Sequence, residues 1–506
     1  MAEVSEPEAS GSNRRVLVVC AIVVAIIIYL VGKSIHKKSV IAGLRSPDTA
    51  VRLRSTEKLM EWKILTDVLS RQPVPVKRPM IVTLREMNTG AAADELVNLM
   101  KDRNPTVQNE AQFALEKMQP TSIPNLVGAL SNPDLNVKNR AAQALIRIGM
   151  PSLAPVKGET TTSVPLIDAI ATPAARPGVT QVVTTLRQGA VPWLMKKLAD
   201  KDADAGTKAC AMDILSRLNA QTAAGPIRAA LNDPKVDPAI RQAGLVALGR
   251  LRHPDAYSLL RATLSEKDPA VVNNAIVGLG ELRDPRAVAL LQGYLKGYDE
   301  SLRDAAVEAL AKIGPPAVSA LSGLLKEDRY EVRVGALKAL QGIDDPRCVG
   351  VIASALRDPD ENVRRMAAEA LGRAGDPRVV APLLSALGDR AWRVAIQARD
   401  SLAIVGEPAI PGLVKMLGQG AQSSSAFYAQ AALEKIGAAA VPALMAAAEK
   451  GGSLPARQRA VLALGSIADT RALRLLENLS SAQTDRTLRS AAERALRQVR
   501  EGRRVG

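Results

Sequence analysis

Apolar positions along the chain fall in short helical stripes that restart about every thirty residues. In the clearest stretch, Val363, Met366, Ala367, Ala370, Leu371 and Ala374 stand at i, i+3, i+4, i+7, i+8 and i+11, one face of an α-helix. Val379, Val380, Leu383, Leu384 and Leu387 make a second stripe. Between them, Gly375-Asp376-Pro377 reads as a left-handed stop, a cap and a first-turn proline. Asp268-Pro269, Asp284-Pro285, Asp345-Pro346 and Asp358-Pro359 repeat that punctuation. The closing phrase of the first stripe recurs as LGRL, LGEL, LAKI, LQGI, LGRA, LAIV, LEKI and LGSI. Their leading leucines, from Leu248 to Leu464, follow at steps of 31, 31, 30, 31, 31, 31 and 31 residues. Weaker copies lead at Leu59, Leu84, Leu115, Leu145, Leu186 and Leu215, with a last at Leu496.

Two helices of about a dozen residues cannot bury both stripes alone, so each pair must lean on its neighbours. The pattern therefore predicts an all-α fold, an α-solenoid (superhelix) of stacked helix pairs with no strand. The step of 41 from Leu145 to Leu186 marks an insertion, and the step of 25 from Leu59 to Leu84 a degenerate first copy. Degenerate repeats are expected over 40–149, an insertion loop with a weak repeat (helices VPLIDAIA and VTQVVTTLRQ) over 150–190, and regular repeats with an Arg-rich C-terminal cap over 191–506.

The stretch DPDENVRRMAAEALGRAGDPR at 358–378 closely resembles the hallmark of the HEAT repeats of the phycobilisome-lyase type. That resemblance implies stacked HEAT pairs over most of 40–506. Two enzyme types share the pattern, and neither activity is implied. Deoxyhypusine hydroxylase holds two irons through His-Glu pairs, and this chain has only His36 and His253 and no His-Glu dipeptide. Phycobilin lyases share packing residues, which carry fold and not chemistry.

Preceding the repeats, residues 16–32 read VLVVCAIVVAIIIYLVG, uncharged and flanked by Arg14, Arg15 and Lys33. At ~1.5 Å per residue this run spans roughly 25 Å, close to a bilayer core, so a single transmembrane helix is expected there, after a disordered tail at 1–15. Four basic residues follow the run closely and two precede it, which favours a cytoplasmic repeat array.

Composition narrows the chemistry. Hydrophobic residues make up 47% and aromatics only 2%, which suits thin layers of Leu, Val and Ala. Net charge is +16, of which residues 41–506 hold 62 basic against 48 acidic side chains. Acidic proteins, anionic lipid or nucleic acid are thereby favoured partners, although eleven aromatics in 506 residues offer little base stacking. Cys20, Cys210 and Cys348 form no paired framework. With no phosphate loop, nucleophile elbow or His/Cys cluster, no catalytic, cofactor-binding or metal site is expected, and no cofactor. One pattern remains: Arg303, Arg333, Arg364, Arg393, Arg457 and Arg489 recur near the start of the second helices. The family resemblance implies bonding to the acidic residue of the intervening turn in the same or an adjacent repeat, as Asp358 with Arg364. A row of arginines facing an acidic partner is the other reading. The expected role is a non-catalytic, membrane-anchored scaffold binding protein partners through a concave face lined by the second helices.

Overall fold

A computed structural model describes residues 34–502 except 154–155, 158–161, 234, 421–422, 451 and 482–484. The expected tail at 1–15 and transmembrane helix at 16–32 lie outside the described residues. The chain divides into two compact units, residues 1–243 and 244–506, a boundary that falls inside the array expected from 191 onward.

Each unit is a HEAT-like solenoid of alternating short and long helices. In the first, the long helices include Thr49–Glu61, Val74–Met87, Pro105–Lys117, Leu135–Ile148, Arg176–Leu186 and Ala205–Arg217. In the second they include Pro269–Leu282, Glu300–Ile313, Tyr330–Gln341, Glu361–Gly372, Trp392–Val405, Ser424–Ile436, Leu454–Ile467 and Arg486–Gly502. Short helices of four to ten residues, such as Pro165–Asp168, Leu65–Ser70 and Val441–Lys450, separate them. The brevity of Leu65–Ser70 accounts for the 25-residue first step. In the second unit the short helices often enter through a 3-10 turn whose third residue is buried, as in Pro285–Ala287, Pro315–Ala317 and Glu407–Ala409.

The leading leucines form the spine of the core: Leu84, Leu115, Leu145, Leu279, Leu310, Leu371, Leu402 and Leu433 all have zero exposure. Burying each side chain is worth roughly 1.5–3 kcal/mol. Successive long helices approach closely because glycine or alanine stands at the crossing. A Cβ on Gly280 would lie 2.6 Å from the Ala309 Cα, and one on Gly465 would lie 2.7 Å from the Ala495 Cα. The glycines of LGEL and LGSI are thus packing notches.

Two expectations are corrected here. In the weak repeat, Leu186 is only half-buried, whereas Val183 has zero exposure and its carbonyl accepts the helix-ending N–H of Arg187. That bond is the one the leading leucine makes elsewhere, Gly314 to Leu310 and Gly406 to Leu402. The true register is therefore three residues earlier, an ambiguity inherent in VVTTL, where apolar residues stand at both places. The insertion also carries a short antiparallel ladder, Val156 opposite Ser163 and Lys157 opposite Thr162, where no strand was expected. A period-2 pattern two residues long is too short to read in a sequence.

Among the described residues, Ser424–Lys450 has the length and apolarity of a membrane span. It is two helices broken at Gly437, where φ is +73°. Leu433, Val441 and Leu444 from both halves are wholly buried in the second unit's core.

Candidate interaction surface

The arginine ladder is built from one local rule. Seven residues before the leading leucine, a long-helix side chain bends back over the preceding turn and donates to its carbonyls. Arg333 Nη1 donates to the Glu327 and Asp328 carbonyls at 2.8 and 2.7 Å, and Arg364 Nη1 to those of Asp358 and Pro359 at 2.8 and 3.0 Å. Their remaining donors cross to the next repeat. Arg333 is bidentate to Asp358, both bonds at 2.8 Å, and Arg364 is bidentate to Asp389 at 2.8 and 3.0 Å. Asp358 therefore pairs with Arg333 and not, as expected, with Arg364. Spacing alone cannot say which neighbour a turn carboxylate faces, and here it faces the helix of the preceding repeat. Donating to the Asp389 carboxylate holds the Arg364 guanidinium above its ordinary pKa.

The same rule reaches residues outside the expected ladder. Arg52 Nη1 donates to the Ser46 and Pro47 carbonyls at 2.8 and 2.7 Å. Lys77 bridges to Asp102 at 2.5 Å, with both side chains more than nine-tenths buried. Once Val183 sets the register, Arg176 occupies this position too and donates to the Ile170 carbonyl at 2.9 Å. A lysine, a shifted register and a degenerate first copy hid these three.

Of the six expected arginines, Arg333 and Arg364 are buried, with four of five N–H donors of each engaged. Arg303, half-buried, donates to the Gly297 carbonyl at 3.2 Å, and Arg457 donates to the Ala448 carbonyl at 2.9 Å. Arg489 is half-buried as well. Arg393 is two residues out of register, since Ala395 stands seven before Leu402; it is 60% exposed and reaches Glu361 at 3.4 Å. The six do not form one solvent-facing row.

A second set of arginines is exposed. Arg286, Arg347, Arg378 and Arg471 each clasp the aspartate two residues before them, at 2.5–2.7 Å. Side-chain bonds from these arginines hold Asp284, Asp345, Asp376 and Asp469 below the usual carboxylate range. The Asp-x-Arg spelling was the signal for them. Each pair is internally neutral, and three lash successive repeats together: Arg347, Arg378 and Arg471 also donate to the Pro315, Pro346 and Ala438 carbonyls.

What remains for a partner is aromatic. Among the described residues no Phe, Tyr or Trp belongs to the buried core, while Phe113, Tyr298, Tyr330, Trp392 and Phe427 are exposed, Tyr298 at 87%. In the second unit Tyr298, Tyr330 and Trp392 sit where a turn enters a long helix, beside Arg329 stacked on Tyr298 (4.2 Å) and Arg393 beside Trp392 (5.0 Å). Arg329 ties its turn to the preceding one through the Lys296 carbonyl at 3.0 Å, and Arg390 does so through Pro359 at 3.2 Å. These turns form one edge.

The two histidines are engaged locally. His36 packs edge-on to Trp62 at 5.6 Å, and His253 Nδ1 accepts the Asp255 N–H at 3.2 Å. Among the described residues no group of three or more His, Cys, Asp or Glu could hold a metal.

Against known families, the HEAT-repeat model matches residues 93–158, 191–278, 262–341, 318–403 and 351–434, together well over half of the chain. The chain belongs to the HEAT-repeat family. Solved HEAT-like structures resemble it in fold alone. Yeast importin-beta (Kap95p) is 13% identical, covering 92% of this chain and 72% of its own, with a TM-score of 0.40. Human deoxyhypusine hydroxylase is 20% identical over 58% of this chain and 97% of its own, with a TM-score of 0.22. The CpcE–CpcF phycocyanin lyase of a Nostoc species is 21% identical over 49% and 94%, with a TM-score of 0.27. Against a Kap95p chain bound to RanGDP, the match spans 66% of that chain's length. No curated protein matches the chain.

Proposed function

We propose that this HEAT-repeat protein is a non-catalytic scaffold, anchored in a membrane by residues 16–32, that binds protein partners along its long helices and the turns leading into them. One observation carries the reading. The described aromatics are kept out of the core and five of them are presented to solvent. Exposed aromatics add little to folding and cost solubility, whereas Trp, Tyr and Arg dominate binding hot spots. Support for the long-helix side as the inner side comes from the crossings. Long helices meet at backbone distance through Gly280 and Gly465, and helices that pack closer on one side bend a stack toward that side.

Membrane anchoring rests on the uncharged run at 16–32. Tethering would confine binding to a bilayer surface, and the basic residues from Lys33 to Arg45 favour the cytoplasmic side. Proximity cross-linking in intact membranes tests both parts. The full chain should stay in the pellet after alkaline carbonate washing and cross-link to specific proteins. Val24→Asp with Ile27→Asp should release it, and Tyr298→Ala with Trp392→Ala should lose partners without release. Extraction of the unaltered chain by carbonate would refute the anchor, and an unchanged cross-linking pattern in the Tyr298/Trp392 variant would refute the aromatic edge.

A further inference from the structure

The first unit carries a groove of about 530 Å³ between two consecutive long helices, Val74–Met87 and Pro105–Lys117. Its floor and walls are Pro75, Pro79, Ile81, Val82, Phe113 and Ala114. Ile81 and Ala114 are buried beneath it, while Val82 and Phe113 stand 40% and 51% exposed on its rims. Other large apolar side chains are exposed among the described residues, Leu135, Ile404 and Trp392 among them, but here an exposed phenyl ring borders an apolar trough between two helices.

Its shape has a sequence cause. Pro79 lies inside a helix and has no N–H, so the carbonyl of Pro75, four residues earlier and also in the groove wall, loses its ordinary helical donor. Opposite, Ala114 is small and leaves room beside Phe113. The trough is thus bounded by prolines on one helix and by an alanine-phenylalanine step on the other.

Its charge points to the occupant. Arg78 on the rim is matched by Glu110 at 2.7 Å. Arg85, which lines the groove, and Lys117, whose ammonium sits 5.2 Å from the Phe113 ring centre, have no carboxylate partner among the described residues. An apolar trough with uncompensated cations in the last turns of both wall helices fits an amphipathic helix whose apolar stripe is flanked by carboxylates.

We infer that this groove is a docking site for an acidic amphipathic helix of a partner protein, its apolar residues seated against Val82, Phe113 and Pro79 and its carboxylates meeting Arg85 and Lys117. The inference rests on the scaffold reading and names the chemistry of one partner. It is independent of the aromatic edge in the second unit.

The test is selection of a displayed library of 15-residue helical peptides, Leu fixed at i, i+3/i+4 and i+7 and flanking positions randomised, on the full chain in detergent micelles. Selected peptides should carry Asp or Glu at the flanks. Their affinity should fall at least tenfold with Phe113→Ala, and Arg85→Glu with Lys117→Glu should shift selection to Lys or Arg flanks. All three side chains are at the surface, so the variants should keep the helical signal of the parent, checked by circular dichroism. Basic or uncharged flanks, no enrichment, or binding indifferent to these substitutions would overturn the proposal. So would a loss of self-association in Phe113→Glu, which would give the groove to a second copy of this chain. Cross-linking of partners at the Tyr298/Trp392 edge would survive any of those results, which separates failure of this proposal from failure of the scaffold reading.

Discussion

Replacing Arg364 by alanine should weaken the second unit locally by about 3 kcal/mol, the cost expected when one member of a buried ion pair is removed. The side chains of Arg364 and Asp389 are only 6% and 11% exposed, so solvent screens the pair weakly. Alanine removes two charge-assisted bonds to Asp389 and two bonds to the Asp358 and Pro359 carbonyls. Each bond to a charged group contributes ~1.5–3 kcal/mol net. Asp389 keeps one N–H bond, from Ala391 at 2.8 Å, and water can reach the vacated turn, so the total falls well short of the sum. The contrast is Arg378→Ala. That pair is made by a 59% exposed arginine, so solvent screens it and its loss should accelerate exchange far less. Because arrays of repeats do not unfold in one step, the readout is native-state hydrogen exchange of residues 361–405 and not a single melting midpoint. Three kcal/mol corresponds to exchange roughly 100-fold faster. Arg364→Met combined with Asp389→Leu should recover most of the loss, since a buried pair replaced whole by apolar groups is near neutral. Acceleration of less than about fivefold, or an equal effect of Arg378→Ala, would refute the reasoning.

Other consequences follow from the same geometry. Gly372→Ala should destabilise by roughly 1–3 kcal/mol despite the better helix propensity of alanine, because its Cβ would lie 2.5 Å from the Ser401 Cβ. Gly323→Ala, with open space around it, should stabilise by about 0.5–1 kcal/mol, and urea titration distinguishes the two. Asp376 is held below the usual carboxylate range by Arg378, so its folded pKa lies under its unfolded one. Its contribution is present above the unfolded pKa and is lost as pH falls through the folded value. Carboxyl-selective NMR should show Asp376 titrating late in acid, and in Arg378→Ala it should return to the ordinary range. Cys210 and Cys348 have thiols raised by burial, so iodoacetamide at pH 7.5 should label both more than about tenfold slower than a free thiol until denaturant is added. Fast labelling of Cys348 in the folded chain would contradict its placement in the core.

The helix pairs were legible in the sequence because one residue type, the leading leucine, is buried at nearly every copy, and burial tolerates few alternatives. Where two apolar residues compete three positions apart, as Val183 and Leu186 do, the pattern allows either register, and the choice moved Arg176 out of sight. The arginine ladder was legible as a spacing and not as a pairing. Asp358 stands six residues before Arg364 in sequence, yet faces Arg333 on the preceding helix. Arg393 shows the opposite failure, a residue of the right type two residues from the structural position. The exposed aromatics and the groove at Phe113 leave almost no trace, since the positions around Phe113 look like any other repeat. They are distinguished only by what the fold declines to bury.

That distinction separates packing from recognition in a repeat protein. Arg333, Arg364 and Lys77 carry charge but spend it inside the stack, holding each turn to the next helix. Arg286, Arg347, Arg378 and Arg471 are exposed, yet each is neutralised by an aspartate two residues away. A net charge of +16 is therefore a poor guide to where a partner binds. Among the described residues, the side chains that the stack does not bury include Phe113 in the first unit, with Arg85 and Lys117 nearby, and Tyr298, Tyr330 and Trp392 along the turn edge of the second. Substituting them should cost little stability, whereas substituting the ladder should cost much. A scaffold that separates the two sets in this way can change partners without refolding its array.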